Sequence, residues 1–188
     1  MKTWKKVTLG TVALGSAALL AACGNSGSSS SSSSKDIQWN LTSPIQTLDS
    51  SLATDTYSNI IIGNTNAGLT RVDKDGKAQP ELAKSVDVSK DGLTYTFHLR
   101  DGLKWSNGDA LTAKDFVYSW QRAVDPATAS EYGYLLGPVK NANEINGGKA
   151  DKSTLGVKAT DDKTFVVTLA QPTPCLLYTS DAADESLV

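Results

Sequence analysis

The chain has 188 residues, room for one domain or slightly more. Its 18 Lys and Arg stand against 20 Asp and Glu, a formal charge of −2, so it lacks the basic excess that binding nucleic acid requires. One His and two Cys cannot assemble a Cys/His zinc site, and 39% apolar with 20% charged residues is the composition of an ordinary globular protein.

Residues 1–22 read as a signal peptide. Lys2, Lys5 and Lys6 form a positive start, and Val7 to Ala22 is an uncharged run of 16 residues. That falls short of the about 20 apolar residues that a membrane span needs and suits a cleavable core. The run ends in Leu20-Ala21-Ala22-Cys23-Gly24, which resembles a lipobox, so cleavage before Cys23 and lipid attachment to its thiol are expected. The plain alternative is a secretory signal with an incidental Cys. Two acyl chains, at about 0.8 kcal/mol per buried CH₂, anchor a protein stably without a transmembrane helix. Residues 23–36 then form a tether: the seven serines Ser28 to Ser34 offer no apolar surface to offset the entropy of ordering. Eleven residues of this kind span roughly 18 Å root-mean-square.

The segment 37–174 reads as α+β. Ile37, Trp39 and Leu41 alternate with polar residues, which predicts a short strand. Thr54 or Asp55 can cap a helix whose buried face is Tyr57, Ile60, Ile61 and Ile62. Asp75-Gly76, Asp91-Gly92, Asp101-Gly102 and Asn107-Gly108 are turn dipeptides, because Gly tolerates positive φ. Leu93, Tyr95, Phe97 and Leu99 alternate with polar residues and predict a strand with one wet face. Thr112 and Asp115 fit a helix start, followed by the apolar stripe Phe116, Val117, Trp120 and Ala123 that stops before Pro126. Phe165, Val167 and Leu169 predict a last strand, closed by Pro172 and Pro174. No internal repeat is visible.

From Cys175 on the chain changes character. Cys175-Leu-Leu-Tyr-Thr-Ser-Asp-Ala-Ala-Asp-Glu185 resembles the translation of a sequencing-library transposase adapter over eleven codons. Residues 175–188 are therefore read as an artefactual tail on a gene cut short after about residue 174; a genuine C-terminal strand and acidic tail is the alternative. Setting aside the three leader lysines and the three tail acids (Asp181, Asp184, Glu185) leaves the charge at −2.

Catalytic chemistry finds no constellation. His98 sits on the alternating strand with no G-x-S-x-G partner for a hydrolase. Asp87, Ser89, Asp91 and Gly92 imitate the start of an EF-hand loop, but the twelfth position is His98 instead of the bidentate Glu, so this is a turn. Asp161-Asp162 falls in a hairpin-like loop and reads as solvated, and Trp105 and Trp120 read as core. No Gly-rich loop has P-loop spacing, and neither a cofactor nor a metal is implied.

One long run carries a resemblance. Glu81 to Arg122, through Lys-Asp-Gly-Leu-Thr-Tyr-Thr-Phe-His-Leu-Arg-Asp-Gly-Leu-Lys-Trp-Ser-Asn-Gly and Thr-Ala-Lys-Asp-Phe-Val-Tyr-Ser-Trp-Gln-Arg, is similar to the signature of family 5 extracellular solute-binding proteins. Ala127-Thr-Ala-Ser-Glu-Tyr132 and Leu155-Gly-Val-Lys-Ala-Thr-Asp-Asp162 resemble its oligopeptide-binding members, and the likeness runs from about Ile37 to Pro174. The resemblance implies the mixed-sheet N-terminal part of a two-lobed type II periplasmic-binding-protein-like fold, incomplete here. It implies an oligopeptide ligand, ABC permease and ATPase subunits as partners, an extracytoplasmic place at the membrane, and no enzyme activity. A signalling-peptide receptor is the alternative within the family; a secreted enzyme or adhesin is the remote one. By the same resemblance, Thr54, Asp55 and Thr56 align, with one gap, to a stretch that meets the peptide backbone, and Tyr132 to a tyrosine that reaches the ligand. Both keep plain alternatives: a helix cap for Asp55, a surface or core tyrosine for Tyr132.

Overall fold

The computed structural model describes residues 39–174, 176 and 177. The leader, Cys23, the serine tract and Ile37 lie outside the described residues, as do Cys175 and residues 178–188 of the expected tail. Residues 41–188 group as one compact unit and residues 1–40 as another; every regular element described belongs to the former.

Helix α1 covers Thr56–Thr65, and a small antiparallel hairpin of β1 (Thr70–Val72) and β2 (Ala78–Pro80) follows it. The main sheet holds β3 (Ala83–Val88), β4 (Thr94–Leu99), β5 (Val157–Asp161) and β6 (Thr164–Thr168) in the order β3-β4-β6-β5. Between β4 and β5 run α2 (Ala113–Val124), short 3-10 turns, and the one-and-a-half-turn α3 (Ala142–Asn146). Every described pairing is antiparallel, where the resemblance implies a mixed sheet. For β3–β4 and β5–β6 the reason is local, since turns far too short for a parallel crossover join them; β4 and β6 pair antiparallel across the long excursion through α2 and α3.

Alternation along β4 places Tyr95, Phe97 and Leu99 on a buried face, as the two-residue period predicts. The stripe of α2 covers that face with Phe116, Trp120, Ala123 and Val124. Asp115 holds the helix start, its carboxylate accepting from the Thr112 amide at 2.7 Å and the Thr112 hydroxyl at 2.9 Å. Phe165 on β6 sits at the centre. Its ring lies 6.0 Å from Phe97, 5.8 Å from Phe116 and 5.3 Å from Trp120, the last edge-on at 77°. All four predicted turn glycines have positive φ, from +69° at Gly92 to +94° at Gly108.

Two expectations change. Trp39, Asn40 and Leu41 are in no strand; among the described residues no ladder neighbour pairs with them, and alternation without a partner does not make a strand. Helix α1 buries Ser58 and Ile62, whereas Tyr57, Ile60 and Ile61 are only half-buried. Leu176 is fully buried in the same core, and the Leu177 carbonyl accepts from the Thr70 hydroxyl at 2.9 Å.

Candidate functional site

Asp55 is first of all a cap. Its extended backbone (φ −100°, ψ 151°) brings the carboxylate over the start of α1, where it accepts from the amides of Tyr57 at 3.0 Å and Ser58 at 2.9 Å. The buried Ser58 hydroxyl donates to the same carboxylate at 2.5 Å, and this bond is the main reason that Asp55 titrates below the usual carboxylate range. Ser58 Oγ in turn accepts, at 3.3 Å each, from the amides of Gln46 and Thr47. Thr54 and Thr56 flank the cap with exposed side chains. Asp55 is thus held at the start of α1 by three hydrogen bonds.

The chain before it is fastened too. Thr47 Oγ1 accepts from the Asp49 amide at 3.0 Å, and the Asp49 carbonyl accepts from the amides of Leu52 at 3.0 Å and Ala53 at 2.9 Å. The Asp49 carboxylate meets the Arg122 guanidinium as a two-pronged pair, Nη1 at 2.8 Å and Nη2 at 2.5 Å. The Arg122 hydrogen bonds hold Asp49 below the usual carboxylate range against the opposing effect of burial.

From Arg122 the chain leads directly to Tyr132. Asp125 ends α2, accepts from the Ala127 amide at 3.0 Å to start the Pro126–Thr128 turn, and pairs with Lys152 at 2.7 Å. A groove of about 410 Å³ opens here, lined by Leu52, Tyr118, Arg122, Asp125, Thr128 and Lys152 among others. Tyr132 follows four residues after Thr128 and is 44% exposed. None of the four predicted side chains, Thr54, Asp55, Thr56 and Tyr132, is among the residues that line this groove. Cys23 lies outside the described residues.

Other singled-out residues fall as follows. Trp120 is fully buried in the core, but Trp105 is half-buried and lines a second, more apolar cavity of about 200 Å³ beside Lys104, Leu82 and Phe116. His98 Nε2 meets Asp87 Oδ2 at 2.9 Å diagonally across β3–β4, a solvent-facing cross-strand pair. The Ser89–Gly92 segment is the β3–β4 turn, with Asp91 accepting from Ser89 and from the Leu93 amide. Asp161, the last residue of β5, and Asp162, in the turn after it, are exposed, Asp162 paired with Lys114. Sequence reasoning missed Asp49, Arg122 and the groove; a pair separated by 73 positions leaves no local signal.

Comparison with known proteins places these features in context. The family model for bacterial extracellular solute-binding proteins, family 5 Middle, matches residues 77–188. The dipeptide-binding protein of Lactococcus lactis subsp. cremoris (strain MG1363) is 56% identical over 174 residues, covering 93% of this chain and 31% of the relative. A substrate-binding domain of an oligopeptide ABC transporter from Bacillus anthracis str. Ames superposes with TM-score 0.72 at 48% identity, over 74% of this chain and 27% of that one. The peptide-binding pheromone receptor PrgZ superposes with TM-score 0.74 at 42% identity, over 77% and 29%. The chain thus spans less than a third of each protein that it matches here.

Proposed function

The chain belongs to the bacterial extracellular solute-binding proteins of family 5, and on that premise we propose that the complete gene product binds oligopeptides outside the cytoplasm and delivers them to an ABC importer. The family is one of solute-binding proteins, not of enzymes, and the α+β arrangement is part of a type II periplasmic-binding-protein fold. The observation that carries the peptide reading is the 56% identity with a dipeptide-binding protein along 93% of the chain.

Residues 54–56 and Tyr132 fit the reading physically. An extended peptide presents a regular row of N–H and C=O groups, which an open extended segment can pair with whatever the side chains are. The Asp55 cap and the Asp49–Arg122 pair fasten the chain leading to residues 54–56, so less ordering is left to be done there on binding. Isothermal titration of the complete gene product with Ala-Ala-Ala should give saturable binding, and Tyr132→Ala should weaken it by about 5- to 30-fold, the cost of losing one well-packed aromatic anchor. Absence of binding to any short peptide would remove this function. A second reading, a receptor for a signalling peptide, is favoured by the likeness to PrgZ; tight binding of one peptide and rejection of tri-alanine would select it.

The place of the protein is part of the same proposal. Cys23, reached by a leader of signal-peptide form, is its lipid attachment point, and residues 23–36 are the tether. Cys23→Ser should leave the precursor unprocessed or release the protein from the membrane fraction. Unchanged processing and retention of that variant would rule out the anchor.

A further inference from the structure

Among the described residues, the core around Phe165 begins at Leu69: no earlier residue is buried in it, and none earlier than Leu82 packs on it as a partly buried one. Residues 41–67 are apolar all the same. Ile45, Leu48 and Leu52 are 40%, 56% and 43% exposed, and α1 carries Tyr57, Ile60, Ile61 and Ile62 within ten residues. Tyr57, Ile60 and Ile61, spaced i, i+3, i+4, share one side of that helix and are only half-buried. Ser58 and Ile62, on the neighbouring side, are buried. The preceding loop meets that second side, where the Ser58 hydroxyl accepts from the Gln46 and Thr47 amides. A helix with apolar residues on more than one side is suited to burial on more than one side.

We propose that residues 41–67 belong to a second core, and that the Tyr57–Ile60–Ile61 side of α1 docks on the part of the complete gene product that this chain does not contain. This rests on membership of the family and on no particular solute. The chain spans less than a third of each protein that it matches here, so most of such a protein lies outside it and can supply the cover. Residues 41–67 are tied to the domain by the Asp49–Arg122 pair and share none of its core. Both cavities are lined from the two parts together: Leu52 with Tyr118 and Arg122, and Thr65, Asn66 and Ala67 with Leu82, Trp105 and Phe116. A continuous core would be close-packed there. Charge argues against a lipid surface as the occupant, because residues 41–67 hold Asp49 and Asp55 and no Lys or Arg, whereas helices that lie on membranes are rich in cations.

Hydroxyl-radical labelling of the complete gene product, without peptide or membrane, tests this. Tyr57, Ile60 and Ile61 should be labelled at about one-tenth or less of their rates in the urea-unfolded protein, as side chains withdrawn from water are, and equally at every protein concentration. Ile60→Ala should raise the unfolding equilibrium constant by about 30-fold or more, the effect of emptying a fully buried site, where an exposed one would give about twofold. Labelling near the unfolded rate, or a rise of only about twofold, would overturn the docking. Protection that appears only as the protein is concentrated would assign this side of α1 to a second copy, and protection that appears only on phosphatidylglycerol vesicles would assign it to lipid. Either result would overturn the proposal and leave the peptide reading standing.

Discussion

Replacing Trp120 by alanine should destabilise the domain by about 3–5 kcal/mol, the range for removing a fully buried large aromatic. The indole is 0% exposed and meets Phe165 edge-on at 5.3 Å, and Phe165 itself is the ring on which Phe97 and Phe116 also converge. No neighbour is free to collapse into the space, because the cavity would lie between a sheet and a helix that are each fixed by their own backbone ladders. Domains are typically stable by about 5–15 kcal/mol, so the loss takes a large share of the total. Chemical denaturation of the variant should show a lower midpoint with an unchanged slope. A midpoint within experimental error of the unaltered chain would mean that the helix does not pack on the sheet as described.

Breaking the Asp49–Arg122 pair should have the next largest effect, and it should depend on pH. Both side chains are about one-third exposed (32% and 31%), so Arg122→Ala is worth about 1–2 kcal/mol, below the range for a fully buried pair. The Asp49 carboxyl titrates below its ordinary value in the folded chain, chiefly because Arg122 donates to it. Its ionised form is therefore favoured by folding. That contribution is complete above the unfolded value of about 3.9 and is lost as the pH falls through the depressed folded value. The stability difference between the unaltered chain and Arg122→Ala should accordingly be constant near neutrality and shrink below about pH 4, leaving only the packing of the arginine stem. A difference independent of pH down to 2 would contradict the pairing.

Much of this architecture is legible in the residues because it follows local rules. The alternation of 93–99 and the stripe of 113–124 each name the face they bury, and the dipeptides ending in Gly name their turns. Strands β3 and β5 escape the same reading because they are edges. Ala83–Val88 buries only its first residue and Val157–Asp161 only its first, so neither has an apolar period to find. The expected strand at 37–41 fails for the converse reason: the pattern is there, but no described neighbour pairs with Trp39–Leu41. At the candidate site, the cap chemistry of Asp55 is visible in the letters, because a carboxylate before a helix is a local device. The groove is not. It depends on Arg122 finding Asp49 and on Lys152 finding Asp125, and contacts of that kind exist only once the chain has folded.

The order β3-β4-β6-β5 also sets a timetable. Each outer hairpin is closed by neighbours in the chain, but the central seam pairs Tyr95 with Val167, about 70 residues later. Loop closure over that length is slow compared with forming either hairpin. A ribosome working at about 5–20 residues per second would need roughly 4–14 s to supply the missing strand. Throughout that interval β4 would show an open row of amides and carbonyls beside an uncovered Phe97, the sort of edge on which another unfinished chain can pair. Once β6 arrives, the same row becomes the most deeply enclosed ladder of the domain.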